Sequence, residues 1–312
     1  MGTPDFAKII LEALHNYGRA YDFNICGVVT QTDKPKGRGY ETQAPPVKIY
    51  AEQNHLAVYQ PKTLRDEAFY GLLHELSPDI IVVAAYGKIL PLNVLGYPKY
   101  GCVNVHASLL PKYRGAAPIQ RAVINGEKKT GVTIMQMYEG IDVGSMLMSE
   151  EIDIAESDDY GTLHDKLAAL GAKILPEALK LIEAGEIIPV AQDPLQASHA
   201  GKIEKNDRSI DFSMPAYNIY NLIRGLSPVP LAYAELNGKT LKIVSARVID
   251  GDAGLPFGTV AEFSKNMIIT QCGEKMLGIE TVVPEGKNKM SASDFINGRQ
   301  VSVGDMFNKE KI

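Results

Sequence analysis

Asp79-Ile80-Ile81-Val82-Val83-Ala84-Ala85 and, a little further on, Cys102-Val103-Asn104-Val105-His106 decide the fold of this chain. Both runs are largely apolar, rich in β-branched side chains and too short for a buried helix. They read as strands covered on both faces. Outward from this pair, apolar strands alternate with amphipathic helices. Phe6 to Tyr17 reads as a helix with Phe6, Ile9, Ile10, Ala13, Leu14 and Tyr17 on one face. Ile25 to Thr30 and His55 to Tyr59 read as strands, and Pro46 to Gln53, Thr63 to Leu76 and Ala116 to Ile124 as helices. Thr130 to Met137 and Ser145 to Ile154 make a strand pair joined across Glu139-Gly140. Ser157 to Glu183 is a long helical stretch that Pro176 should kink or divide. Such alternation predicts a doubly wound, mostly parallel α/β sheet over residues 1–185.

Periodicity is lost over residues 186–205, which hold Pro189 and Pro194 and read as a linker. After a helix at Tyr217 to Leu226, residues 206–312 turn to short strands. Leu231 to Glu235 and Leu241 to Ile249 flank an Asn237-Gly238 turn, a strong hairpin signal. Gly258 to Phe263, Asn266 to Gln271 and Met276 to Val283 follow, so a small OB-like β-barrel is expected.

The 312 residues carry 32 Lys and Arg against 37 Asp and Glu, a net charge of −5, which argues against broad non-specific binding to nucleic acid. The balance is uneven: residues 202–312 hold 14 basic against 13 acidic side chains, and the deficit lies in the rest. No apolar run approaches the roughly 18 residues of a membrane span, and the opening lacks a signal-peptide pattern. Cys26, Cys102 and Cys272 make no disulfide framework. A cytoplasmic protein with no membrane partner is the expectation.

The chain has no GxxxxGK[ST], GxGxxG, HExxH, CxxC or GxSxG, so the main support for ATPase, dinucleotide oxidoreductase, zincin and serine hydrolase chemistry is missing. What remains is Asn104 and His106 at the end of a buried strand. Positions i and i+2 share a face, at the carboxyl edge where open α/β sheets bind ligands. An amide donor beside an imidazole suits oxyanion stabilisation and proton transfer. The blander reading is a strand-end pair satisfied by neighbouring backbone. Asp142, in Gly140-Ile141-Asp142-Val143-Gly144, could orient a histidine or be a plain turn aspartate. Lys34, Lys36 and Arg38 lie in a Gly/Pro-containing loop that by itself reads as a solvated basic turn.

Asn104-Val105-His106-Ala107-Ser108-Leu109-Leu110-Pro111-Lys112-Tyr113-Arg114-Gly115-Ala116-Ala117-Pro118 with the downstream Gly140 to Gly144 turn resembles the folate-dependent formyltransferases, as do Ala84 to Pro91 and Gly2-Thr3-Pro4-Asp5-Phe6-Ala7. The likeness extends through Asp33 to Gly39 and Arg224 to Pro230 and covers essentially the whole chain. It is nearest to the branch of that family whose acceptor is methionyl initiator tRNA. The resemblance implies a Rossmann-like formyltransferase domain, a tRNA-binding C-terminal domain, and 10-formyltetrahydrofolate as formyl donor with no metal. In it, Asn104 and His106 would stabilise the tetrahedral oxyanion, and Asp142 would orient His106 and help remove the amine proton. Ser108, Leu109, Leu110 and Pro111 with Tyr86, Gly87 and Ile89 would line the folate cleft. Lys34, Lys36 and Arg38 would meet the tRNA end, Lys112 and Arg114 would flank the cleft, and Lys239, Lys242, Arg247, Lys287 and Lys289 would cradle the tRNA; the protein would act as a monomer.

This sequence departs from the family pattern at Val143, where Thr is usual, and at Val229, where an aromatic is common. Family members also carry a short apolar strand before the Gly2 to Ala7 turn, and a true start a few residues upstream is the expectation. Two other readings stay open: formyl transfer to a small acceptor or to water on the same three residues, and a tRNA-binding protein that has kept the fold without the chemistry.

Overall fold

The computed structural model describes residues 1–19, 23–36 and 41–308. In chain order its elements are α1 (Asp5–Gly18), β1 (Val28–Val29), β2 (Lys34–Lys36), β3 (Glu41–Gln43), α2 (Pro46–Gln53), β4 (Val58–Tyr59), α3 (Glu67–Leu76), β5 (Ile81–Val83), α4 (Leu92–Leu95) and β6 (Cys102–His106). They continue with α5 (Pro118–Ile124), β7 (Lys129–Gln136), β8 (Met146–Asp153), α6 (Tyr160–Ala184), α7 (Ala216–Leu226), β9 (Ala232–Leu236), β10 (Lys239–Ile249), β11 (Val260–Ser264), β12 (Met267–Gln271), β13 (Met276–Pro284), β14 (Met290–Ser291), α8 (Ala292–Asn297) and β15 (Phe307–Asn308). Two compact units result. One comprises Met1–Gly115, Lys129–Ile152 and His164–Ala200, the other Ala116–Lys128, Asp153–Leu163 and Gly201–Ile312.

In the first unit, α1 buries Phe6, Ala7, Ile10 and Leu14, the stripe its periodicity marks. α3 begins where the Asp66 carboxylate accepts the Phe69 N–H at 2.9 Å, a side-chain N-cap. β5 and β6 pair in parallel, with Ile81 opposite Cys102 and Val83 opposite Asn104. β6 and β7 pair antiparallel, with Asn104 opposite Met135 and His106 opposite Thr133. The sheet β5-β6-β7-β8 is therefore mixed, where the alternation of elements predicts a mostly parallel one. The Gly140–Gly144 turn is too short for a crossover, so β8 follows β7 as its neighbour without the helix a parallel pair needs.

β1 pairs in parallel with β4. Between β1 and β5 lie Met1 and Gly2: Gly2 N donates to Val29 O at 3.0 Å, and Ala84 N donates to Met1 O at 2.9 Å. Beside them runs an apolar cleft lined by Ile10, Leu14, Ile25, Val28, Ile81 and Val82. α6 passes through Pro176 as one helix of 25 residues, undivided. Leu167, Ile174, Leu175, Ala178 and Leu179 are buried on both sides of the proline, and this packing holds the two halves in one register.

Residues 186–200, read from the sequence as part of a linker, fold back on the first unit. Val190 and Met146 exchange both backbone hydrogen bonds at 2.8 Å. Arg114 N donates to Ser198 O at 2.9 Å and Ala200 N to Arg114 O at 2.6 Å. Polar and proline residues broke the periodicity because this segment pairs with loops and not with a regular ladder.

The second unit is an antiparallel sheet ordered β11-β12-β13-β10-β9-β15, with β14 paired to β13. Asn237 (φ 51°) and Gly238 (φ 73°) turn β9 into β10, the double positive φ that an Asn-Gly hairpin supplies. A bridge between Thr259 and Met306 brings the outer strands together again, so the sheet curls around Ile219, Ile243, Ile268, Leu277 and Ile279. α5 belongs here: Arg121 pairs with Asp207 at 2.7 Å and donates to Gly201 O. Gly225 of α7 lies so close to α5 that a Cβ would sit 2.6 Å from Ile124.

Candidate active site

β6 ends on Asn104 and His106, two residues apart on one face, and the loop that follows turns back over them. Thr133 on β7 frames that loop. Its hydroxyl donates to Ser108 O at 2.7 Å and accepts the Leu110 N–H at 3.2 Å, while the Ser108 hydroxyl donates to Lys112 O at 2.7 Å. The closure delivers the Tyr113 carbonyl to within 3.0 Å of His106 Nε2. A carbonyl only accepts, so Nε2 carries the hydrogen. The other ring nitrogen, Nδ1, faces Asp142 Oδ2 at 3.6 Å.

Asp142 meets all three parts of the site. Its Oδ1 accepts from Asn104 Nδ2 at 3.3 Å, and its Oδ2 accepts the Gly115 N–H at 2.9 Å. Its backbone is left-handed at φ 52°, a region that Asp enters more readily than most side chains with a Cβ. The His106 and Asp142 side chains are 6% and 16% exposed, so the pair is withdrawn from solvent, where charge and dipole act strongly. An amide with a second N–H to offer, an imidazole and a carboxylate thus converge on one point. Together they can steady an oxygen that gains negative charge and take a proton from an attacking nucleophile.

An apolar cleft opens from Asp142, lined by Ile89, Leu90, Pro91, Leu92, Met135, Met137, Tyr138 and Ile141, with Arg65 and Lys88 at its rim. Ile89 is 74% exposed there. The other expected folate residues, Tyr86, Gly87, Ser108, Leu109, Leu110 and Pro111, are not among those that line this cleft. Tyr86 is buried, its carbonyl accepts from Thr3 and Gln31, and burial pushes its phenol up to about 12. Gly87 has φ 77°, where any other side chain would be strained. Ser108, Leu109, Leu110 and Pro111 form the loop that carries Tyr113.

Lys34 is exposed on the β2–β3 hairpin, and its ammonium donates to Gln31 Oε1 at 2.6 Å. The hairpin root is tied by the Lys48–Asp33 ion pair at 2.8 Å and by Gln60, which donates to Asp33 and to Gln31 O. Arg38 and the side chain of Lys36 lie outside the described residues. On the C-terminal sheet, Lys239, Lys242, Arg247, Lys287 and Lys289 are exposed, with Arg247 paired to Glu280 and Lys287 donating to Gln300. Among the described residues no cluster of three His, Cys, Asp or Glu could hold a metal ion, and no helix is long and apolar enough to cross a membrane.

Sequence reasoning missed the Tyr113 carbonyl, the Gly115 N–H and Gln192, all of which touch the three central residues or their turn. The first two are backbone groups and leave no side-chain signal; the third sits in a stretch without periodicity.

The model for the family described as formyl transferase matches residues 1–179, and that for the formyl transferase C-terminal domain matches residues 202–300. The chain belongs to the formyl transferase family. It is 47% identical over 305 residues to the methionyl-tRNA formyltransferase of Caldanaerobacter subterraneus subsp. tengcongensis, spanning 97% of each chain. It is 44% identical over 314 residues to the methionyl-tRNA formyltransferase of Bacillus subtilis, spanning 100% of this chain and 98% of that one. Among solved structures, the sugar 3N-formyl transferase WlaRD, determined with dTDP and 5-N-formyl-THF, superposes with a TM-score of 0.65 at 19% identity over 92% of this chain and 97% of that chain. An N-formyltransferase from Helicobacter canadensis, in complex with folinic acid and dTDP-3-aminofucose, gives a TM-score of 0.64 at 19% identity over 89% and 97%. These two likenesses concern the fold.

Proposed function

We propose that this formyltransferase moves the formyl group of 10-formyltetrahydrofolate to the α-amine of methionyl initiator tRNA, giving N-formylmethionyl-tRNA in the cytoplasm. The observation that carries the reading is the convergence of Asn104, His106 and Asp142, on a chain nearly half identical over its length to methionyl-tRNA formyltransferases.

The amine nitrogen attacks the formyl carbon, and a tetrahedral centre forms whose oxygen takes the negative charge. The second N–H of Asn104 stabilises that oxygen, and since Nε2 of His106 is committed to the Tyr113 carbonyl, His106 does so through a hydrogen carried on Nδ1; one such donor is worth ~2.7–4 kcal/mol. Asp142 orients His106 and accepts the proton that the amine sheds. Collapse re-forms the carbonyl, breaks the bond to the folate N10, and returns a proton to that nitrogen.

The folate ring would lie against the apolar walls of the cleft beside Asp142, with Ile89 against it, and Arg65 and Lys88, whose ammonium also donates to Pro61 O and Lys62 O, suit an anionic tail. Tyr86, Gly87 and Ser108, Leu109, Leu110 and Pro111 would complete the folate site beside these walls. Lys34, Lys36 and Arg38 would follow the phosphates of the tRNA end, and the OB-like C-terminal sheet would take the rest of the tRNA. The protein acts as a monomer.

The test is formyl transfer from 10-formyltetrahydrofolate with methionyl tRNA, an amino-sugar nucleotide and water competing as acceptors. Transfer to the tRNA that is lost in His106→Ala and Arg38→Ala supports the reading. Transfer to the sugar, or formate release alone, replaces it.

A further inference from the structure

We infer that Gln192 is a positioning residue, which holds the Asp142 turn in its working geometry; this deepens the formyl-transfer reading and rests on it. The Gln192 amide is engaged at both ends. Nε2 donates one hydrogen to Asp142 O at 2.8 Å and the other to Gly144 O at 2.6 Å. Oε1 accepts from Arg114 Nε at 2.9 Å. One planar group thereby links the two segments that build the site: the Gly140–Gly144 turn, which carries the carboxylate, and the Tyr113–Gly115 stretch, which supplies a carbonyl to His106 and an N–H to Asp142.

Gln192 is itself anchored on both sides. Before it, Val190 is bonded to Met146 at the start of β8; after it, the Ser198 hydroxyl accepts the Tyr113 N–H at 2.9 Å and Ser198 O accepts from Arg114 N at 2.9 Å. The segment is thus a strap across the loops, and its one inward amide lands on the two carbonyls flanking Val143.

Asp142 needs such a hold. Its backbone is left-handed at φ 52°, a conformation that a bond to its own carbonyl helps to hold. Its contacts to Asn104 at 3.3 Å and to His106 at 3.6 Å are long already, so a small drift of the turn removes them. The Gly115 N–H fixes one carboxylate oxygen, and Gln192 fixes the backbone that bears it.

The test uses Gln192→Met, which keeps length and volume but donates no hydrogen bond, in the wild-type and Asp142→Asn backgrounds. The expected result is a kcat at least tenfold lower, with KM for both substrates within about twofold. In the Asp142→Asn background the same change should cost almost nothing further, because its effect runs through that carboxylate. Equal losses in both backgrounds, or a loss confined to KM, would overturn the proposal. A second readout needs no turnover: the imidazole 15N shifts of His106 should move in Gln192→Met toward those of Asp142→Asn. Unmoved shifts would reject the role of Gln192, whereas moved shifts in a chain without formyl transfer would reject only the reading of function.

Discussion

At the residue scale, the site depends on three contacts that converge on one carboxylate. Asp142→Asn keeps the shape and removes the charge, and a loss of ~10²–10⁴-fold in kcat is expected, the range of a general base. Thermal melting should stay near the wild-type value, which separates chemistry from folding. Asn104→Ala should cost ~10²–10³-fold, as for one oxyanion donor. Cys102 stands beside this machinery without joining it. Burial in the core pushes its thiol up to about 12, so it carries almost no thiolate at neutral pH. Cys26 is exposed, so alkylation of the folded protein, followed by mass spectrometry, should label Cys26 well before Cys102 or Cys272.

At the element scale, the β7–β8 connection allows no added bulk. A Cβ on Gly144 would lie 1.6 Å from the Gln136 carbonyl oxygen, a clash that only backbone movement relieves. Gly144→Ala should therefore destabilise the first unit by more than ~2 kcal/mol and displace Asp142, lowering both the melting temperature and kcat. Helical and strand elements were readable because their burial follows their period: α2 and β6 fall on the residues that periodicity marks, Pro46–Gln53 and Cys102–His106. Pro176 was legible as a break and is none, since packing on both sides outweighs the lost hydrogen bond. α8, a helix of six residues after β14, is too short for periodicity to mark.

For the whole molecule, the grouping of segments matters more than their order. Asp207 accepts the Glu204 backbone N–H at 3.0 Å and pairs with Arg121; these hold its carboxyl below the usual carboxylate range, the backbone bond foremost. A depressed folded value means stability that is present above the unfolded value near pH 4 and lost as pH falls through the folded one. Asp207→Asn should thus flatten the decline in stability of its unit below about pH 4, as followed by urea unfolding across pH.

By itself, the sequence determined the longer strands and helices and the family, and it put Asn104, His106 and Asp142 forward as candidates, because each of these rests on local periodicity or on residue identity at fixed spacing. Asn104 and His106 face one way simply because they are two apart on a strand. The direction of β7, the membership of α5 and the role of residues 186–200 were decided only by tertiary structure. These depend on which distant backbone groups find each other, and every residue carries the same carbonyl and, proline apart, the same N–H. The Tyr113 carbonyl on His106, the Gly115 N–H on Asp142 and the Gln192 amide beneath that turn exist only once the loops have closed.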